Sequence, residues 1–173
     1  MDISDNYALL IERSKQGDSH AFSQLYSMYA TDLFRFSMYM MGSYHDAEEA
    51  VQEAVFSAWR NIHTLNDPAY FKVWLFKILS NRCKTELMKR NKHADSLPID
   101  EYEFLTDGED FSFDSTELKE ALQSLTPPDG QIIVLSVIGG FKSEELAAIY
   151  SMPASTIRSR QKRALEKLRT ILS

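Results

Sequence analysis

Apolar residues recur at i, i+3, i+4 and i+7 along most of the chain, and the breaks in that rhythm divide it into helices. From 5 to 16, Tyr7, Leu10 and Ile11 form one side of a short helix. Gly17 ends it, and Asp18 or Ser19 is placed to cap the next. From 19 to 41, Phe22, Leu25, Tyr26, Tyr29, Leu33, Phe36 and Met40 keep helical spacing up to Gly42, and these aromatics and methionines read as core. The stretch 46–62 carries Ala47, Ala50, Val51, Ala54, Val55, Ala58, Trp59 and Ile62 on one face, with Asp46 as a candidate cap. Asn66-Asp67-Pro68 then marks a turn. The stripe resumes at Phe71, Trp74, Leu75, Ile78 and Leu79.

Residues 94–115 show no helical period and contain Pro98 and Gly108. The pattern returns with Leu118, Ala121, Leu122 and Leu125, stopped by Thr126-Pro127-Pro128. Ile132 to Ile138 is almost wholly apolar and is predicted buried, ending at Gly139-Gly140. Ser143 is placed to cap a short helix with Leu146, Ala147, Ile149 and Tyr150 inward. After Ser151-Met152-Pro153, a last helix from about Ala154 aligns Ile157, Gln161, Ala164, Leu165, Leu168 and Leu172. A short helix, a tight turn and a longer basic helix is the helix-turn-helix arrangement. The periodicity thus predicts an all-α chain with two helical parts, 1–93 and 116–173, joined by the segment 94–115.

Charge sharpens this division. The net charge of −6 argues against nucleic acid, but its distribution does not. The 46–53 face holds Asp46, Glu48, Glu49, Gln52 and Glu53, whereas 71–93 holds Lys72, Lys77, Arg82, Lys84, Lys89, Arg90 and Lys92 against Glu86 alone. The two stripes therefore predict an acidic and a basic helix that share a core and present opposite charge outward. The last helix adds Arg158, Arg160, Lys162, Arg163, Lys167 and Arg169 against Glu166. Acids collect in 94–117, where no base falls before the last helical part, so that segment reads as an acidic linker. Local charge decides phosphate contact.

Composition excludes other classes. No run of apolar residues is long enough for a membrane span, and MDISDNYALLIERS is acidic and lacks the form of a secretory signal. Cys83 is the one cysteine, so no intramolecular disulfide is possible. It reads as a small side chain at the edge of the packed face. A cytoplasmic protein is expected, with no membrane insertion of its own. His20, His45, His63 and His93 lie far apart in sequence, without metal-ligand spacing. There is no glycine-rich phosphate loop and no nucleophile motif. No enzyme activity, metal or cofactor is expected.

The residues carry a resemblance. DAEEAVQEAVFSAWR followed by FKVWLFKILSNRCKTELMKR resembles region 2 of bacterial extracytoplasmic-function sigma factors, and LIERSKQGDSHAFSQLYSMYATDLFRFSMYMMG resembles the opening of that region. EELAAIYSMPASTIRSRQKRALEKLR is similar to region 4 of the same family. The resemblance spans 7–92 and 117–172 and implies two small helical domains, with promoter-specific initiation through core RNA polymerase as their function. By position, Asp46, Glu49, Gln52 and Glu53 match the segment that grips the clamp helices of the largest polymerase subunit. The loop and basic helix, with Asn66, Asp67, Tyr70, Lys72, Trp74, Lys77, Asn81 and Arg82, match the part that reads the minus-ten element. An unstacked base on an aromatic and cationic track is a general means of holding single-stranded DNA. Ser155, Thr156, Arg158, Ser159, Arg160, Lys162 and Arg163 match the helix that reads the minus-thirty-five element as duplex. The implied partners are core polymerase, promoter DNA and an anti-sigma factor.

Three positions depart from the family pattern. Leu65-Asn66-Asp67-Pro68 replaces the usual entry to the base-capture loop. Leu125-Thr126-Pro127-Pro128-Asp129-Gly130 lacks an expected arginine, and the usual glycine of the helix-turn-helix turn is Ser151. Two other readings compete. A conventional helix-turn-helix regulator needs a receiver or ligand-binding half, and 1–92 shows no alternation of strands and helices. A polymerase adaptor without promoter recognition of its own is motivated by the departures and opposed by the arginines at 158, 160 and 163.

Overall fold

The computed structural model describes residues 3–94 and 116–173. All their regular structure is helical, as predicted. The chain divides into two compact units, whose described parts are these two stretches. The acidic linker predicted for 94–115 lies, but for its first residue, outside the described residues. Among the described residues, no helix is long and apolar enough to cross a membrane.

The first unit has four helices: α1 (Ile3–Lys15), α2 (Ser19–Met41), α3 (Tyr44–Asn61) and α4 (Phe71–Ala94). Two one-turn 3-10 segments, Ile62–Thr64 and Pro68–Tyr70, lead from α3 to α4. Asp18 caps α2, its carboxylate accepting from the His20 and Ala21 backbone N–H groups at 3.1 Å each. The bond from Ala21, and then the Arg13 guanidinium at 2.9 Å, hold this carboxyl below its usual range. Gly17 and Gly42 follow α1 and α2 with φ of 91° and 74°, the left-handed conformation that lets a helix stop without a Cβ clash.

Asp46 does not cap α3. The helix begins two residues earlier, and Ser43 caps it, its hydroxyl accepting from the Asp46 backbone N–H at 3.3 Å. Serine fits the same rule that nominated aspartate, because a short side-chain oxygen satisfies an orphan donor of the first turn.

The buried face of α3 is mainly small, with Ala47, Ala50, Ala54 and Ala58. Its neighbours α2 and α4 supply the bulk: Leu25, Leu33 and Phe36 from one, Phe71, Leu75, Phe76 and Leu79 from the other. Each such side chain contributes roughly 1.5–3 kcal/mol on full burial. Helix α4 packs against both α2 and α3, so it is buried over a wider arc than one stripe. Val73 and Phe76 are buried as well, whereas Trp74 and Ile78 are half-buried. Cys83 is fully buried, not at an edge. The Ser37 hydroxyl donates to the Ala47 carbonyl at 3.0 Å and lies 3.8 Å from the Cys83 sulfur, so one buried polar contact spans α2, α3 and α4. Burial pushes the thiol up to about 11.

The second unit holds α5 (Thr116–Gln123), α6 (Pro127–Ile138), α7 (Ser143–Tyr150) and α8 (Ala154–Leu172). Pro127 opens α6, where its missing N–H costs nothing, so the prolines that stop α5 also start its neighbour. Ile132 to Leu135 are buried, but Val137 is 75% exposed, which corrects the fully buried reading of that run. Its apolar composition hid a helix end that turns towards solvent. Ser143 is the first residue of α7 rather than its cap. The turn is closed by Glu145, which accepts from the Lys142 backbone N–H at 2.7 Å, while the Ser143 hydroxyl donates to Gln161 Oε1 at 3.3 Å. Ser151 ends α7 at φ 53°, the one positive-φ non-glycine among the described residues. The serine therefore holds the backbone conformation that a glycine would adopt without strain.

Candidate polymerase and nucleic-acid interfaces

In the first unit, the predicted separation of charge holds only in part. Asp46 and Glu53 lie on the edge of α3 that faces α4, and each is ion-paired across to it, Asp46 with Arg90 and Glu53 with Arg82. Arg82 also binds Glu86 at 2.9 Å. Arg90 donates to the Met41 carbonyl at 3.2 Å, at the end of α2. A part of the acidic and basic sets therefore neutralises itself along the α3–α4 seam. Linear spacing gave each helix a polar face, but not which polar residues border the neighbouring helix.

The outward face of α3 holds the rest. Glu48, Glu49 and Gln52 are exposed, with the Gln52 amide donating to Glu48 at 3.5 Å. One turn further on, Phe56 is 60% exposed, and the Arg60 guanidinium lies 5.6 Å from its ring centroid. Phe56 was not among the predicted site residues. A large exposed aromatic on a polar helix face is its structural signal, and the inward stripe drew attention elsewhere.

His45, Asp46 and Glu49 bring potential ligand atoms within 4.8 Å of one another. Asp46 is already held by Arg90, and the other two side chains are largely exposed. Such exposed groups carry no specific cation chemistry by themselves.

At the entry to α4, Asp67 closes the second 3-10 turn, its carboxylate accepting from the Ala69 N–H at 3.0 Å. That use follows from the short acidic side chain beside Pro68. Asn66 is exposed and Tyr70 is 58% exposed, while Leu65 between this loop and α3 is buried. Trp74 lies 6.0 Å from the Phe71 ring. Phe71 in turn meets Tyr7, Phe22 and Tyr29 at 6.0–6.4 Å between centroids, and the Tyr7 and Tyr29 hydroxyls are 2.9 Å apart. The loop thus leads into a packed aromatic cluster at the start of α4. Lys72 and Lys77 are half-buried, and Asn81 is exposed further along the helix. Arg82, in contrast, is engaged by Glu53 and Glu86, and its Nε is buried without a hydrogen-bond partner.

In the second unit, Ile157, Ala164 and Leu168 seat α8 in the core. Ser155, Arg158, Ser159, Lys162 and Arg163 are exposed, and Thr156 is half-buried. Arg158 has Glu144 of α7 at 3.5 Å, with both side chains more than half exposed. Arg160 behaves differently: its Nη1 donates to Asp129 of α6 at 2.8 Å, and its Nε is buried. Lys167 reaches the Ser124 carbonyl of the α5–α6 turn at 3.0 Å.

Comparison with known proteins accounts for both units. The model of sigma-70 region 2 matches residues 25–93, and that of sigma-70, region 4 matches 121–170. The chain is similar to RNA polymerase sigma factor SigV of Bacillus subtilis (strain 168), 30% identical over 142 residues that cover 82% of this chain and 85% of the relative. It is 29% identical to the ECF RNA polymerase sigma factor SigW of the same organism, over 92% of each chain. Among solved structures, it resembles the sigma factor RpoE of Bartonella quintana, determined in complex with the anti-sigma factor NepR, at 28% identity and a TM-score of 0.75, over 87% of this chain and 96% of that one. With both regions matched in order and a relative of 30% identity along most of its length, the chain belongs to the extracytoplasmic-function sigma factors of the sigma-70 family.

Proposed function

We propose that this chain binds core RNA polymerase through the outward face of α3 and directs it to promoters read at two elements. The observation that supports this most is the pairing, in one chain and in order, of a region 2 unit with an exposed acidic helix and a region 4 unit with an exposed basic helix. Glu49 and Gln52 lead the polymerase contact, because they are exposed, while Asp46 and Glu53 flank it and hold α4 in place. Tyr70 and Trp74, with Asn66, Lys72, Lys77 and Asn81, form the track for the displaced strand of the minus-ten element. Stacking on such aromatics is worth roughly 1–3 kcal/mol per base. Ser155, Thr156, Arg158 and Ser159 lie at the start of the helix that enters the major groove, and Lys162 and Arg163 one turn later suit phosphate.

Domains 1–93 and 116–173 carry these two tasks, with 94–115 as the tether. Joining two weak contacts on one chain raises their effective concentration. The protein contributes binding and positioning, with no chemistry of its own, and works in the cytoplasm where the polymerase is. The Bartonella relative's complex with an anti-sigma factor supports an anti-sigma partner here too.

Co-purification with core polymerase followed by run-off transcription on a promoter library tests the reading. Binding with selection of a shared pair of spaced elements is expected. Binding without any start would favour the adaptor reading, motivated by Asn66-Asp67-Pro68 and by Gly130. Failure to bind core would overturn both.

A further inference from the structure

Among the cations of α8, Arg160 is singular in three respects. It sits three residues after Ile157 and four before Ala164, so helical geometry puts it on the buried side with them. Its guanidinium is bound to Asp129 at 2.8 Å, and the two side chains are only 30% and 19% exposed. Its Nε is buried with no hydrogen-bond partner, so the first nitrogen of the fork is enclosed by protein. Arg158 has Glu144 in reach at 3.5 Å, but both of those side chains are more than half exposed, and Lys162 and Arg163 are exposed as well.

The other end of the contact is equally specific. Asp129 lies in the first turn of α6, where the positive end of the helix dipole favours a carboxylate. The next residue is Gly130, which is buried and brings no side chain of its own. The guanidinium at this end of α6 is instead supplied from across the unit, by α8.

From this geometry we infer that Arg160 is a positioning residue: anchored by Asp129, it fixes the promoter-reading helix against α6 and reads no base itself. Sequence choice then falls to Ser155, Thr156, Arg158 and Ser159, whose side chains lie nearer the leading end of the helix. The inference rests on the proposed reading of the upstream element by α8. The expected consequence is a sharp difference between two neighbouring arginines. Loss of Arg158 should change which sequences are preferred, whereas loss of Arg160 should lower use of all of them alike.

The test is a selection over upstream duplex sequences with holoenzyme reconstituted from the full chain, for wild type, Arg158→Ala, Arg160→Met, Asp129→Asn and the Asp129→Asn/Arg160→Met double variant. Methionine keeps the apolar stem, so that α8 stays packed. Thermal melting of each variant checks that the fold survives. Arg160→Met and Asp129→Asn should each weaken promoter use about threefold to tenfold with the base preferences unchanged, and the double variant should be no worse than either single one. Asp129→Glu, which keeps the charge, should recover most of the loss. Flattened preference at one base position in Arg160→Met, with Asp129→Asn additive to it, would overturn the inference and leave the promoter reading standing. A wild-type holoenzyme with no upstream preference at all would overturn both.

Discussion

The two units treat their charges differently. In the first, acids and bases that the sequence assigns to separate partners meet each other along one seam: Asp46 with Arg90, and Glu53 with Arg82, which also binds Glu86 of its own helix. In the second, Arg160 alone among the arginines of α8 is held across helices in a part-buried pair, and Arg158, Lys162 and Arg163 point outward. The contrast follows from shape. Helix α3 packs a face of alanines on α4, so the two helices come close and the polar residues at their borders are within reach of each other. Helix α8 is held mainly by Ile157, Ala164 and Leu168, a narrow stripe that leaves most of its circumference to solvent. Residues on a charged helix are thus available to a partner only where no neighbouring helix faces them.

The largest effects should come from the packing that creates this contrast. Phe71→Ala removes a fully buried ring at the junction of α1, α2 and α4. It should destabilise the first unit by about 3–5 kcal/mol, seen as a lower denaturant midpoint. A loss under about 1 kcal/mol would mean that the aromatic cluster does not hold the loop.

The seam comes next. Arg90→Met removes the contacts to Asp46 and to the Met41 carbonyl. Because these side chains are about a third exposed, a double-mutant cycle with Asp46→Asn should give a coupling of only about 0.5–1 kcal/mol, falling as salt is raised. A coupling that ignores salt would point to packing of the arginine stem instead.

Cys83 offers a pH test of the same core. Its folded pKa is raised above the free thiol value, so the folded state keeps a proton that the unfolded state loses. Its contribution is fully present below the unfolded value near 9 and is lost as pH rises towards about 11. Unfolding curves of wild type and Cys83→Ala should therefore converge on each other across that window. Parallel curves would contradict a buried, protonated thiol.

The smallest expected effect lies in the second unit. Ser151→Gly relieves the positive φ and should stabilise it by roughly 0.5 kcal/mol, the strain relieved being partly offset by greater freedom of the unfolded chain. A drop in melting temperature would show that the serine side chain contributes more than its backbone strain costs.

What could be read from sequence was whatever depends on one helix at a time. The helical periods, the glycine stops and a cap at Asp18 or Ser19 are all local, and the structure has them, with Asp18 as the cap. What escaped depends on a second helix. A carboxylate suits the cap that Asp46 offers by sequence, but Ser43 caps the helix from three residues before it and Arg90 claims Asp46 from elsewhere in the chain. A single apolar stripe on α4 puts Cys83 at its edge, while packing on both α2 and α3 buries a wider arc and Cys83 with it. Arg160 was legible in principle, since its spacing from Ile157 and Ala164 puts it inward, but a cation on a basic helix invites the outward reading. Phe56 was legible too, as the large apolar residue off the stripe.

The measurement that tests the central claim most directly is the affinity of the full chain for core RNA polymerase, compared with a Glu49→Lys/Gln52→Ala variant. Both substitutions fall on exposed side chains of α3 and spare the seam to α4. The account predicts tight binding by the wild type and a loss of at least about tenfold in the variant, on the order of 1.4 kcal/mol, with unchanged melting. Equal binding by the two proteins would contradict the assignment of the α3 face to the polymerase.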